Sequence, residues 1–113
     1  MEMTFEIDET RRGGTPVVRV AGEIDVATAP SLREHLAAHE GAGEPVVVVD
    51  LTDVTFVDST ALGVLVGAYR RLGDADAALR LVVTEARILK VLEITDLVSV
   101  FPIFDSVDEA VRG

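Results

Sequence analysis

The sequence predicts an α/β fold: a mixed β-sheet of about four to five strands packed with about four helices. Three observations carry this reading. The run Pro45-Val46-Val47-Val48-Val49-Asp50-Leu51 is β-branched and almost unbroken, as a central strand buried on both faces is. Two shorter strand-like segments flank Gly13-Gly14, the arrangement of an antiparallel hairpin. Strand and helix patterns then alternate to the end, which gives the order β-β-α-β-α-β-α-β-α.

Each element has its own signal. Phe5-Glu6-Ile7-Asp8-Glu9 alternates with period two and reads as a half-exposed strand. Arg11 to Thr15 is a turn, because paired glycines adopt positive φ without strain, and Val17 to Ala21 is the second strand. Gly22-Glu23-Ile24-Asp25 leads off it. Thr28 or Ala29 then caps a helix with Pro30 in its first turn; Leu32, Leu36 and His39 share a face, and Glu40-Gly41 ends it. After the central strand, Thr52 to Val57 reads as a connection. From Thr60 to Leu72 the spacing of Leu62, Leu65, Val66, Tyr69 and Leu72 predicts a helix. Gly63 and Gly67, four apart on it, are expected to pack closely on the protein's own sheet. Leu79 to Val83 is a strand, followed by a helix opened by Thr84-Glu85 with Ile88, Val91 and Leu92 on its apolar face. Val100 to Phe104 is a short strand that Pro102 assigns to an edge, and Asp105-Ser106 starts a last helix carrying Val107, Ala110 and Val111.

Composition bounds the function. The 113 residues fit one domain, expected to span 1–113. Without cysteine, disulfides and thiolate metal sites are excluded, and with 4% aromatics the core must be aliphatic. A net charge of −10 argues against nucleic acid and against anionic membrane surfaces. It suits a basic protein partner, but the first reading of such acidity is that it keeps a small protein soluble. Met1 to Glu6 has neither the basic nor the apolar region of a signal peptide, and the apolar stretch around Val64 to Tyr69 is far short of a membrane span. A cytoplasmic protein is expected.

Ser59 is the residue of most interest. It follows a buried strand and a loop and stands where the next helix begins. There a serine can cap the helix through its side-chain oxygen. The same place suits a phosphate, since first-turn amides and the positive end of the helix dipole favour an anion. The neighbouring Asp58, and Asp25 if the two loops meet at one sheet edge, would make a phosphorylated surface still more acidic.

The segment Val49-Asp50-Leu51-Thr52-Asp53-Val54-Thr55-Phe56-Val57-Asp58-Ser59-Thr60-Ala61-Leu62-Gly63 resembles the signature of STAS-domain anti-sigma factor antagonists, in which the phosphorylated serine directly follows an aspartate. Gly22-Glu23-Ile24-Asp25 is similar to that family's Gly-Glu-(Leu/Ile)-Asp segment, and Val91 to Leu97 and Val100 to Ser106 match in pattern. The resemblance covers nearly the whole chain. It implies a STAS fold and a partner-switching function without catalysis or cofactor. The unphosphorylated protein would bind an anti-sigma factor serine kinase and free a sigma factor. Phosphorylation of Ser59 would end the contact, and a serine phosphatase would reset it. ATP and metal would belong to these partners. By resemblance the partner-binding residues are Glu23, Asp25, Asp58, Thr60 and Ala61. The family usually has glycine at the last of these positions, so Ala61 adds a methyl group beside the phosphosite.

Other readings have less behind them. His35 and His39 have the i, i+4 spacing of helix-borne metal ligands but no third ligand nearby in sequence, so solvent-facing or partly packed side chains are expected. A metal-binding receiver site built on Asp25, Asp50, Asp53 and Asp58 lacks its late-strand lysine, since the one lysine, Lys90, lies in a helical pattern. No Gly-x-Ser-x-Gly elbow, phosphate loop or base for Ser59 supports an enzyme. A scaffold or sensor subunit of a stress-signalling assembly is the alternative within the family; it would run as a high-mass complex in gel filtration.

Overall fold

Gly13 and Gly14 close the first hairpin. Their φ angles of 60° and 86° are the positive pair that a two-residue turn between twisted strands requires. They join β1 (Glu6–Arg12) to β2 (Thr15–Ile24), antiparallel and in register from Glu6↔Ala21 to Arg12↔Thr15. The computed structural model describes residues 5–113; the expectation that no signal peptide opens the chain falls on residues 1–4, outside the described residues.

Three further strands extend the sheet in parallel: β3 (Val46–Val57), β4 (Ala78–Val82) and β5 (Ile103–Phe104), in the spatial order β1-β2-β3-β4-β5. Between and after them run α1 (Ala29–Ala37), α2 (Ser59–Asp74), α3 (Ala86–Ile94) and α4 (Val107–Arg112), with a 3-10 turn at Leu97–Ser99. The element order is the one the sequence predicts, and the sheet is mixed, with five strands and four helices among the described residues.

Alternation along the strands feeds two cores. Val18, Val20 and Ile24 of β2, Val47, Val49 and Leu51 of β3, and Leu79 and Leu81 of β4 pack with Leu32 and Leu36 of α1, Leu65 and Leu72 of α2, and Ile88 and Leu92 of α3. On the other face, Val17, Val48 and Val82 pack against Ala110 of α4. Val47, Val48 and Val49 are all 0% exposed, so β3 is buried on both faces, as its unbroken run implies. α4 is fixed at each end. Ser106 Oγ accepts from Glu109 N at 3.1 Å, and Arg80 Nη1 donates to the Ala110 carbonyl at 2.9 Å. Arg12 pairs with Asp108 and ties the helix to the hairpin.

Four expectations change. First, Thr52 to Val57 is not a connection: it continues β3, hydrogen-bonded alongside β2. Its polar residues imitate a loop because the register shifts twice and breaks the alternation. Second, α1 stops at Ala37. His39 N and Glu40 N bond three residues back, to Leu36 and Ala37 carbonyls at 3.0 and 3.2 Å, so the chain tightens into turns before Gly41 and Gly43. Third, β5 is two residues long, because Pro102 has no N–H for a ladder; its carbonyl accepts from Leu81 N at 3.0 Å. Fourth, Gly63 does not pack on the sheet. It is exposed, with nothing within 4 Å of where a Cβ would stand. At Gly67 a Cβ would stand 3.1 Å from Arg71 Nη1, and Arg71 Nε donates to Glu40 Oε1 at 2.6 Å. The missing side chain thus leaves room for an ion pair between α2 and the end of α1.

His35 and His39 share one partner. Glu9, from β1, reaches His35 Nδ1 at 2.5 Å and His39 Nε2 at 2.7 Å, one carboxylate oxygen to each. This clasp fastens the hairpin to α1. Burial raises the Glu9 pKa, but hydrogen bonds and charge attraction from both histidines outweigh it and hold the carboxyl below its ordinary 4.5. The stabilisation is therefore fully present above pH 4.5 and is lost as pH falls through the lowered value. Thermal melts of wild type and Glu9→Gln are expected to differ near neutral pH and to converge in acid. Equal melting temperatures at neutral pH would show that the clasp contributes nothing.

Candidate functional site

Because β2 and β3 are parallel, their C-terminal ends lie at one edge of the sheet, the edge where sites gather in open α/β sheets. Ile24 pairs with Val57, and Asp58 N donates to the Ile24 carbonyl at 3.2 Å. This pairing brings Gly22-Glu23-Ile24-Asp25 alongside Asp58-Ser59-Thr60. Gly22, with φ 95°, sits at a register shift in a conformation strained for any residue with a side chain.

The cap of α2 is Asp58, not Ser59. Asp58 has extended φ and ψ of −106° and −176°, and its Oδ1 accepts from Ala61 N at 2.9 Å. The sequence allowed a serine cap because both residues can fill that role; only the backbone shows which of them precedes the first helical residue. Ser59 is that first residue, exposed, and its hydroxyl has no hydrogen-bond partner among the described residues. Thr60 is exposed beside it. Ala61 is different: it is 0% exposed and belongs to the main core. Its methyl group is enclosed by the core and is not on the surface expected for it.

Asp25 is half-buried and does not simply face solvent. Its Oδ1 accepts from Ala27 N at 2.9 Å and Thr28 N at 3.2 Å, and its carbonyl accepts from Ala29 N at 2.7 Å. Thr28 stands at the start of α1 without capping it. Its hydroxyl accepts from Asp25 N at 2.9 Å and donates to the Glu23 carbonyl at 3.0 Å. The turn from Asp25 to Thr28 is thereby knitted together at its base.

The surface is acidic. Glu23 is exposed and Asp58 half-buried, and no lysine or arginine occurs between Arg33 and Arg70. Asp53 is set apart by Arg19, whose Nη2 donates to it at 2.7 Å. Two apolar side chains that sequence reasoning passed over also stand here: Val26 is 70% exposed and Phe56 47%. The sequence holds a faint signal for Val26, an apolar residue directly after Asp25 in a turn. Phe56 gives none, because it lies in a stretch whose polar residues read as a connection.

No group of three His, Asp or Glu among the described residues is arranged to hold a metal ion, and Glu9 stands between the two histidines as an ion-pair partner. A hollow of about 440 Å³, lined by Tyr69, Gly73, Ala77 and Pro102, lies at the opposite end of α2 from Ser59. No helix among the described residues is long and apolar enough to cross a membrane.

Comparison with known proteins shows the family. The STAS domain family matches residues 6–110. The anti-sigma-B factor antagonist of Listeria monocytogenes is 37% identical over 103 residues, covering 91% of this chain and 90% of that protein. The crystal structure of an anti-sigma factor antagonist from Mycobacterium paratuberculosis superposes with a TM-score of 0.88 at 29% identity, over 96% of this chain and 92% of that one. The Bacillus cell fate determinant SpoIIAA in its phosphorylated form shares the fold, with a TM-score of 0.71 at 21% identity over 96% and 97% of the two chains. Anti-sigma factor antagonists are regulators and not enzymes. From the match over nearly all of its length and the shared fold, this chain belongs to the STAS-domain family of anti-sigma factor antagonists.

Proposed function

We propose that this protein, as one STAS domain, is a phosphorylation-controlled antagonist of an anti-sigma factor. Unphosphorylated, it binds an anti-sigma factor that is itself a serine kinase, and so frees a sigma factor. Glu23, Asp25, Asp58, Ser59 and Thr60 form the contact region. The partner transfers the γ-phosphoryl group of ATP to Ser59 Oγ; the P–O bond between the β- and γ-phosphates breaks, an Oγ–P bond forms, the hydroxyl proton passes to a base on the kinase, and ADP is released. A serine phosphatase hydrolyses the ester and resets the switch. This cycle runs in the cytoplasm, where ATP is available, and needs no contact with nucleic acid or membrane.

One observation carries this reading: an exposed, unpartnered serine hydroxyl stands on the first residue of α2 while the preceding aspartate already fills the cap. A phosphate on Ser59 adds about −1.5 to −2 charge. Asp58 occupies the Ala61 amide, so the phosphate remains at the surface, beside carboxylates. The fold need not change. A desolvated contact that admitted the bare hydroxyl would have to bury an unpaired dianion, a cost of several kcal/mol.

The test is incubation with the cognate kinase and ATP, followed by mass-spectrometric mapping. A single phosphate on Ser59, absent from Ser59→Ala, is expected. Phosphate on Thr60 or elsewhere would overturn the assignment, and no phosphate together with a high-mass complex would favour a scaffold.

A further inference from the structure

We infer that Val26 and Phe56 are the apolar anchors of the partner contact, and that Asp25 is a positioning residue that holds Val26 outward. The inference rests on the proposed contact at the Ser59 surface and names its chemistry: the occupant is a face of the anti-sigma factor with an apolar hollow rimmed by lysine or arginine.

Four large hydrophobic side chains are exposed among the described residues: Val26, Phe56, Ile94 and Val98. The first two stand at the sheet edge that carries Ser59. Val26, 70% exposed, is the first tip residue of the turn from Asp25 to Thr28. That turn cannot easily relax to fold the valine inward. Asp25 and Thr28 hold it through carboxylate-to-amide, carbonyl-to-amide and hydroxyl bonds of 2.7 to 3.2 Å. An apolar group kept in water by a rigid turn is ready to be buried by a partner with little ordering cost.

Phe56 is turned outward by a different device. Gly22 pairs with Val54 and Glu23 with Phe56, so Thr55 is an extra residue that reverses the alternation of β3. Val54 and Val57 remain in the core, while Phe56 stands beside its exposed cross-strand neighbour Glu23. Aromatic anchors with a polar rim are the usual centre of a protein contact. Here the nearby charges, Glu23 and Asp58, are acidic, and no lysine or arginine lies between Arg33 and Arg70 in sequence. Charge complementarity therefore selects a basic rim on the partner.

Asp25 has a different role from its acidic neighbours. Its Oδ1 is committed to the backbone amides of its own turn. An asparagine keeps that acceptor and removes the charge; an alanine removes both.

The experiment is a titration of the unphosphorylated chain with its cognate anti-sigma factor, comparing Val26→Ala, Phe56→Ala, Asp25→Asn and Asp25→Ala, with Ser59→Asp as control. Circular dichroism checks that each folds; Val26 and Phe56 are exposed, so truncation leaves the core intact. Val26→Ala, Phe56→Ala and Asp25→Ala are each expected to weaken binding about tenfold or more, with Asp25→Asn within about threefold of wild type. Unchanged affinity for either Val26→Ala or Phe56→Ala overturns the anchor pair. Asp25→Asn as weak as Asp25→Ala overturns the positioning role, because the charge itself would then be the contact. A Ser59→Asp protein that binds like wild type sinks the switch instead, whatever the anchors do.

Discussion

Asp58→Ala is expected to destabilise the protein by about 0.5–2 kcal/mol, and Ser59→Ala to stay within about 0.5 kcal/mol of wild type. The contrast follows from one hydrogen bond. Asp58 Oδ1 satisfies the Ala61 amide at 2.9 Å, and its carboxylate also faces the positive end of a sixteen-residue helix, Ser59–Asp74. Removing it leaves that amide to water and loses the favourable charge. Ser59, one residue later, has an exposed side chain, and alanine is the better helix former. Urea unfolding of the three proteins at neutral pH checks the order. A larger loss for Ser59→Ala would return the cap to the serine. The expected order also makes Ser59→Ala a clean non-phosphorylatable variant, whose binding can be read without a stability correction.

Ser59→Asp is expected to fold and to bind the anti-sigma factor at least about tenfold more weakly than wild type, while Ser59→Ala binds persistently. A carboxylate at this position puts a charge beside Asp58 on the surface that must lose its water in the contact. No lysine or arginine lies between Arg33 and Arg70 to neutralise it, and His35 and His39 are engaged by Glu9. The effect is smaller than that of phosphate, which carries about −1.5 to −2 charge and three acceptor oxygens. Titration of both variants with the partner reads the difference directly. Equal affinities would mean that the hydroxyl stands outside the contact.

The parts of this protein legible in its sequence are those set by local pattern. Gly13-Gly14 and the flanking alternation define the hairpin, and Val46 to Val49 define the central strand, because neighbouring residues alone decide those outcomes. The pairing of the Gly22–Asp25 and Asp58–Thr60 segments could be stated only as a condition, since parallel register depends on how α1 crosses the sheet. What stayed hidden depends on distant partners. β3 continues past Leu51 because β2 runs beside it, and two register shifts place Val54 in the core and Phe56 on the outside. Glu9 reaches His35 and His39 across some twenty-six and thirty residues, so nothing in their spacing pointed to the clasp. Ala61 looked like a contact residue by its place in the motif; helical geometry turns the third residue of α2 into the core while Ser59 and Thr60 face outward. The part Asp25 plays in its own turn stayed hidden because its bonds run to backbone amides, which residue types do not reveal.

The most direct measurement is the affinity of the purified Ser59-phosphorylated protein for its cognate anti-sigma factor, set against the bare protein in the same calorimetric titration at physiological salt. Burying an unpaired dianion in the contact is expected to weaken binding by at least about a hundredfold. Equal affinity of the two forms, with phosphate confirmed on Ser59, would contradict the switch.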